Sequence, residues 1–189
     1  MSKKNNTAPA AATGKHHRHK TGLFPIALVS GDWKDEFSEY EYSVMIAEAL
    51  NYCVYNEEMN ISGYLLTRRR LYLVLKTEYV HINSVLLHFY DKLRKEIQHA
   101  QRIKKEIEKA LKHPEATLEK PALFVRYPLQ NEYLVKLITG RKVELPYSDP
   151  HLQRLKDEIN KANFCSAIDY TGAKGPVVVT LLKQDEHNE

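Results

Sequence analysis

The chain has 189 residues, 43% hydrophobic and 28% charged, which is enough apolar material for one globular domain with a real core. No apolar run approaches the roughly eighteen residues of a membrane span, and the polar N-terminus lacks the apolar centre of a secretory signal. The expectation is therefore a cytoplasmic protein with no membrane partner. The formal net charge of +4 sits in residues 1–20, where Lys3, Lys4, Lys15, Arg18 and Lys20 face no acid; that tail holds +5 and leaves −1 for the rest. A pI near 8.9 therefore does not by itself point to nucleic acid. Cys53 and Cys165 have neither metal-ligand nor redox spacing and read as reduced core thiols.

Residues 1–20 have almost no large apolar side chain and are expected to form a disordered basic tail. A single α+β domain is expected over residues 21–183, with residues 184–189 disordered again. Residues 24–29 read as a first strand, with Pro25 at an edge or outside the ladder. Ser38 offers a helix cap, and Met45, Ile46, Ala49, Leu50, Cys53 and Val54 recur at helical spacing, so residues 39–56 form an amphipathic helix.

Residues 61–67 and 70–76 alternate as a hairpin across Thr67-Arg68-Arg69, without the glycine of the commonest tight turns. Residues 80–112 carry the longest apolar stripe, from Leu86 through Phe89, Leu93, Ile97 and Ile103 to Leu111. A strand around residues 123–125 follows. One helix holds Leu129, Tyr133, Leu134 and Ile138, and another opens at Ser148 and Pro150. A terminal hairpin is expected from residues 163–170 and 176–182.

The order strand, helix, strand, strand, helix, strand predicts a ferredoxin-like βαββαβ fold. Its antiparallel sheet would carry helices on one face, with C-terminal helices and a hairpin added. The fold alone names no function.

Charge is polarised inside the domain. Residues 32–58 hold eight acids against Lys34, and residues 92–112 hold eight cations against three acids. Two solvated helix faces that oppose one another are the simplest reading. His81 and His88 read as surface histidines. No phosphate loop, zinc spacing or paired-carboxylate signature is present, so no metal or cofactor is expected. The candidate anion surface is Arg68-Arg69-Arg70 at the hairpin tip. Three guanidiniums on one turn repel one another unless an anion, or an internal acid, neutralises them. Arg94, Lys95, Arg102 and Lys105 can extend such a surface, and Tyr72 and Tyr79 can stack on bases.

The hairpin Gly63-Tyr64-Leu65-Leu66-Thr67-Arg68-Arg69-Arg70-Leu71-Tyr72-Leu73-Val74-Leu75-Lys76 resembles, with the helix before it, the REP-associated tyrosine transposases of the HUH single-strand superfamily. That family carries a strand and tight turn of the type Ala-Tyr-x-Leu-Met-Pro-Asn-His-x-His-Leu-Leu-Leu-Lys. The apolar frame matches and the chemistry does not. In the family two histidines, on alternate positions of one strand face, hold a divalent metal that polarises a DNA phosphate for attack by a tyrosine. Here Arg70 and Tyr72 stand in those places. Arginine has no lone pair to give, and tyrosine is a poor ligand at neutral pH. The resemblance offers Tyr133 as the counterpart of the nucleophile, against its reading as a helix core residue. It implies a protein that binds single-stranded or hairpin nucleic acid without cleaving it. The alternative is a protein-interaction or structural domain, a homodimer through the long helix.

Overall fold

The computed structural model describes residues 21–111 and 122–183, the side chains of residues 108–111 excepted. The expected basic tail and residues 184–189 lie outside the described residues. The first strand, β1 (Thr21–Ser30), is longer than residues 24–29 because residues 21–29 pair antiparallel with β3 (Arg70–Glu78), from Thr21 opposite Glu78 to Val29 opposite Arg70. Pro25 lies inside this ladder, opposite Val74, and not at its edge. Leu129 N–H donates to the Pro25 carbonyl at 3.3 Å on the side away from β3. A strand residue's N and O point the same way, so the missing Pro25 N–H faces the side where the next strand has already ended.

Helix α1 (Glu39–Asn56) starts at a full capping box. Glu41 N–H donates to Ser38 Oγ at 3.3 Å, and Ser38 N–H donates to Glu41 Oε2 at 2.8 Å. Such a cap is worth about 1 kcal/mol. Strand β2 (Ile61–Leu66) turns into β3 through Thr67. Thr67 N–H donates to the Arg70 carbonyl at 2.9 Å, and Arg70 N–H donates to Thr67 Oγ1 at 3.2 Å. The hydroxyl closes the turn, and Arg68 and Arg69 keep negative φ without the glycine that a primed turn would need.

A short 3-10 segment (Tyr79–His81) leads into α2 (Ile82–Leu111), and β4 (Phe124–Pro128) pairs antiparallel with β1. The sheet order is β2-β3-β1-β4 with every neighbour antiparallel. This is the order a βαββαβ chain gives when each helix returns it across one intervening strand, and it establishes the expected α+β class.

Helices α1 and α2 pack on one sheet face. Leu28, Leu71 and Leu73 are fully buried there with Ile46, Leu50, Phe89 and Leu93. Each such side chain contributes roughly 1.5–3 kcal/mol of burial. Trp33 anchors β4 to this core by donating from Nε1 to the Leu123 carbonyl at 2.7 Å. The acidic and basic segments meet along the α1–α2 contact. Lys104 donates to the Glu36 carbonyl at 2.8 Å, lies 3.5 Å from Glu41 and sits over the Phe37 ring. His88 lies 2.9 Å from Glu57, and Lys92 sits over the Tyr52 ring.

The opposite sheet face is covered on one side only. Helices α3 (Glu132–Ile138) and α4 (Pro150–Lys161) pack there over Leu65 and Val74, beside Cys165. The expected terminal hairpin does not form. Residues 166–171 make a 3-10 turn, and residues 176–182 run without strand structure. Both segments find other partners instead of each other. Leu66 N–H donates to the Phe164 carbonyl at 2.9 Å, Leu65 bridges Cys165, and Thr180 N–H donates to the Ile61 carbonyl at 2.7 Å. The outer edge of β2 is therefore covered by the chain itself. Gly63 is required at this contact, because a Cβ there would stand 2.7 Å from the Ile138 carbonyl oxygen.

Candidate nucleic-acid interface

The second layer covers β2 and Val74, takes in the flank of Tyr72 and reaches Leu23 at the start of β1; the sheet beyond these residues, toward the hairpin tip and β4, is open. On β2 every residue is buried; on β4 four of five are exposed. Leu71, Leu73 and Leu75 face α1 and α2, so Arg70 and Tyr72 face the other way. On β1 the same alternation sends Ile26 and Leu28 to the helices, and Ala27 and Val29 to the open side. Phe124 packs into the helical core, which leaves Val125 and Tyr127 on the open side. The registers then assemble two rows across three strands. Tyr72 lies opposite Ala27 and Ala27 opposite Tyr127; Arg70 lies opposite Val29 and Val29 opposite Val125. Tyr127 and Val125 are about half exposed, at 52% and 51%. None of these six side chains is a carboxylate.

Arg70 is exposed, and its Nη1 donates to Tyr72 Oη at 3.3 Å. That bond raises the guanidinium's already high pKa, so the charge is permanent. No carboxylate of α1 reaches it, because α1 lies beneath the other sheet face. Arg68 and Arg69 are exposed at the tip and lie nearer the helical side. Asp35 is held below the usual carboxylate range first by its hydrogen bond to Lys34, and also by the fields of Arg68 and Arg69. Arg68 borders an open cleft of about 330 Å³ with Lys34, Asp35, Phe37 and Glu39, a lining of mixed sign. The triple arginine is thus split: two guanidiniums have an acid in range, and Arg70 belongs to the open sheet.

Arg94, Lys95, Arg102 and Lys105 lie on α2, in the layer beneath the other face, and are not brought next to Arg70 and Tyr72. Arg94 bonds to Asp91 at 3.0 Å. Tyr79 is exposed at the far end of β3, its ring 6.0 Å from that of Phe24. Tyr133 lies half-buried in the first turn of α3, between the cap residue Asn131 and the buried Leu134. Among the described residues no group of three or more His, Cys, Asp or Glu is placed to hold a metal ion. Cys53 and Cys165 are buried, and burial pushes each thiol up to about 11, so neither is a thiolate nucleophile at neutral pH.

Tyr127 was not among the residues singled out from the sequence. The expected strand stopped at Val125, and only the pairing with β1 places Tyr127 level with Tyr72. A period-two reading carried through Phe124-Val125-Arg126-Tyr127 was the available signal. No helix among the described residues is long and apolar enough to cross a membrane. No family model, curated protein or solved structure matches the chain.

Proposed function

We propose that this protein binds single-stranded or hairpin nucleic acid without metal-dependent cleavage, and that it descends from a tyrosine transposase whose histidine pair was replaced by Arg70 and Tyr72. The observation that carries this reading is the position of Arg70. It stands on the open sheet face, unpaired by any acid among the described residues, beside Tyr72 and one residue from Arg69. Tyr72 is half-buried, packed at the edge of the α3–α4 cluster, and holds its hydroxyl against Arg70; a permanent cation next to an aromatic is the pairing that engages a phosphate and a base together. The hairpin frame supports the ancestry, and the substituted positions remove the lone pairs that metal catalysis needs.

The test is oligonucleotide binding by the full chain across a salt series. Replacing Arg70 by alanine removes one phosphate contact, and the slope of log affinity against log salt falls in magnitude by about 0.7. An unchanged slope sinks the reading. A second reading, association of the protein with itself through α2, is favoured by Ile103 and Ile107. They extend the apolar stripe yet are 44% and 55% exposed. Light scattering of wild type and an Ile103→Lys/Ile107→Lys variant separates the two, since a dimer held by α2 becomes a monomer and one held elsewhere does not.

A further inference from the structure

Arg70 explains attraction to phosphate but not a preference between paired and unpaired strands. We infer that the row Tyr72–Ala27–Tyr127 is a stacking platform for unpaired bases, lying across strands β3, β1 and β4. This deepens the nucleic-acid reading and rests on it.

Three features of the row support stacking. The first is spacing. Ala27 is the register partner of both tyrosines, so the stems of Tyr72 and Tyr127 stand two strand separations apart, about 10 Å. That distance leaves room for a base at each ring: Tyr127 is the exposed one, and Tyr72 is half-buried, its flank packed at the edge of the α3–α4 cluster. The second is relief. Ala27 projects a single methyl between them and keeps the middle of the row low, so a flat strand can cross it. A β-branched or large residue, the common choice on a central strand, would block the crossing. The third is cost. Tyr127 is 52% exposed, although an aromatic side chain of this size gains by burial. The next row supplies the charge: Arg70 lies two residues before Tyr72 on the same face and bonds to its hydroxyl, which fixes ring and cation relative to each other.

The partner this geometry fits is a single strand, DNA or RNA, whose bases are free to leave the helix stack. A duplex hides its base faces and offers the platform only phosphates. Stacking reads a π-face and no hydrogen-bond code, so the platform tolerates any base sequence.

The test uses the full chain, 12-nucleotide oligothymidine and oligouridine carrying a fluorescent end label, and a labelled DNA duplex of the same length. Tyr127→Ala is expected to weaken binding of a single strand about tenfold, with the salt slope and the duplex affinity unchanged, because a ring is lost and no charge. Tyr127→Phe keeps the ring and retains wild-type affinity. Tyr127 lies on an exposed strand edge, and thermal unfolding reports whether the alanine variant remains folded. The thymidine and uridine arms decide between DNA and RNA as the better ligand. If wild type binds none of the three probes, the nucleic-acid reading and the platform fail together. If wild type binds and the arginine variant weakens it, but Tyr127→Ala binds single strands as wild type does or loses single strand and duplex equally, the platform alone is overturned.

Discussion

Ser166 holds three parts of the structure with one hydroxyl, and its removal has a calculable cost. Its Oγ accepts from Tyr64 N–H at 2.7 Å and lies 3.0 Å from the Tyr64 carbonyl and 2.5 Å from the Ile138 carbonyl. One proton serves one of those two carbonyls at a time. Ser166 and Tyr64 are both fully buried. Ser166→Ala therefore leaves a buried N–H unsatisfied, at about 1–3 kcal/mol, and removes one donated bond worth about 1 kcal/mol. The sum, roughly 2–4 kcal/mol, lowers Tm by roughly 4–16 °C for a chain of this size. Urea unfolding followed by circular dichroism measures the loss, and hydrogen exchange at the Tyr64 amide checks its location. A loss below about 0.5 kcal/mol would show that the C-terminal segment does not dock on β2 as described. The boundary of the open sheet face would then have to be redrawn.

Gly63→Ala places a methyl 2.7 Å from the Ile138 carbonyl oxygen, which is backbone and cannot swing aside; overpacking of this kind costs roughly 1–3 kcal/mol, read as a lower urea midpoint at unchanged m. Glu41→Ala removes half of the α1 capping box and the contact with Lys104, and costs about 1 kcal/mol by the same assay. Burial raises Cys53 and Cys165 to about 11 and Tyr42 to about 12, each above its ordinary value. The folded state thus holds these protons more tightly than the unfolded chain. Stability is fully present below about pH 9 and is lost as pH rises through 11–12, which urea midpoints between pH 8 and 12 will show. By the same cause both thiols stay unreactive toward a disulfide reagent at pH 8 until the protein is unfolded; rapid reaction in the native state would contradict their burial.

Much of the sheet was legible because its strands are local patterns. Leu71, Leu73 and Leu75 alternate, and Met45, Ile46, Ala49 and Leu50 recur at helical spacing, so period alone assigned β3 and α1. Pattern misled where a segment's partner was distant. Residues 163–170 and 176–182 are apolar enough to pair with each other, yet the edge of β2 and the side chain of Asn51 take their hydrogen bonds. The candidate site divides in the same way. That Arg70 and Tyr72, and no histidine, open β3 was visible in the residues themselves.

The sequence alone determined that Arg68, Arg69 and Arg70 share a turn and that this turn carries no imidazole, because both facts are local and chemical. Only the tertiary structure decided that the three part company. Strand alternation turned Arg70 to one face of the sheet while Asp35 and α1 occupied the other. Only register across β3, β1 and β4 could bring Tyr127 level with Tyr72, 55 positions apart in the chain (127 − 72), because strand pairing is fixed by contacts no short window contains.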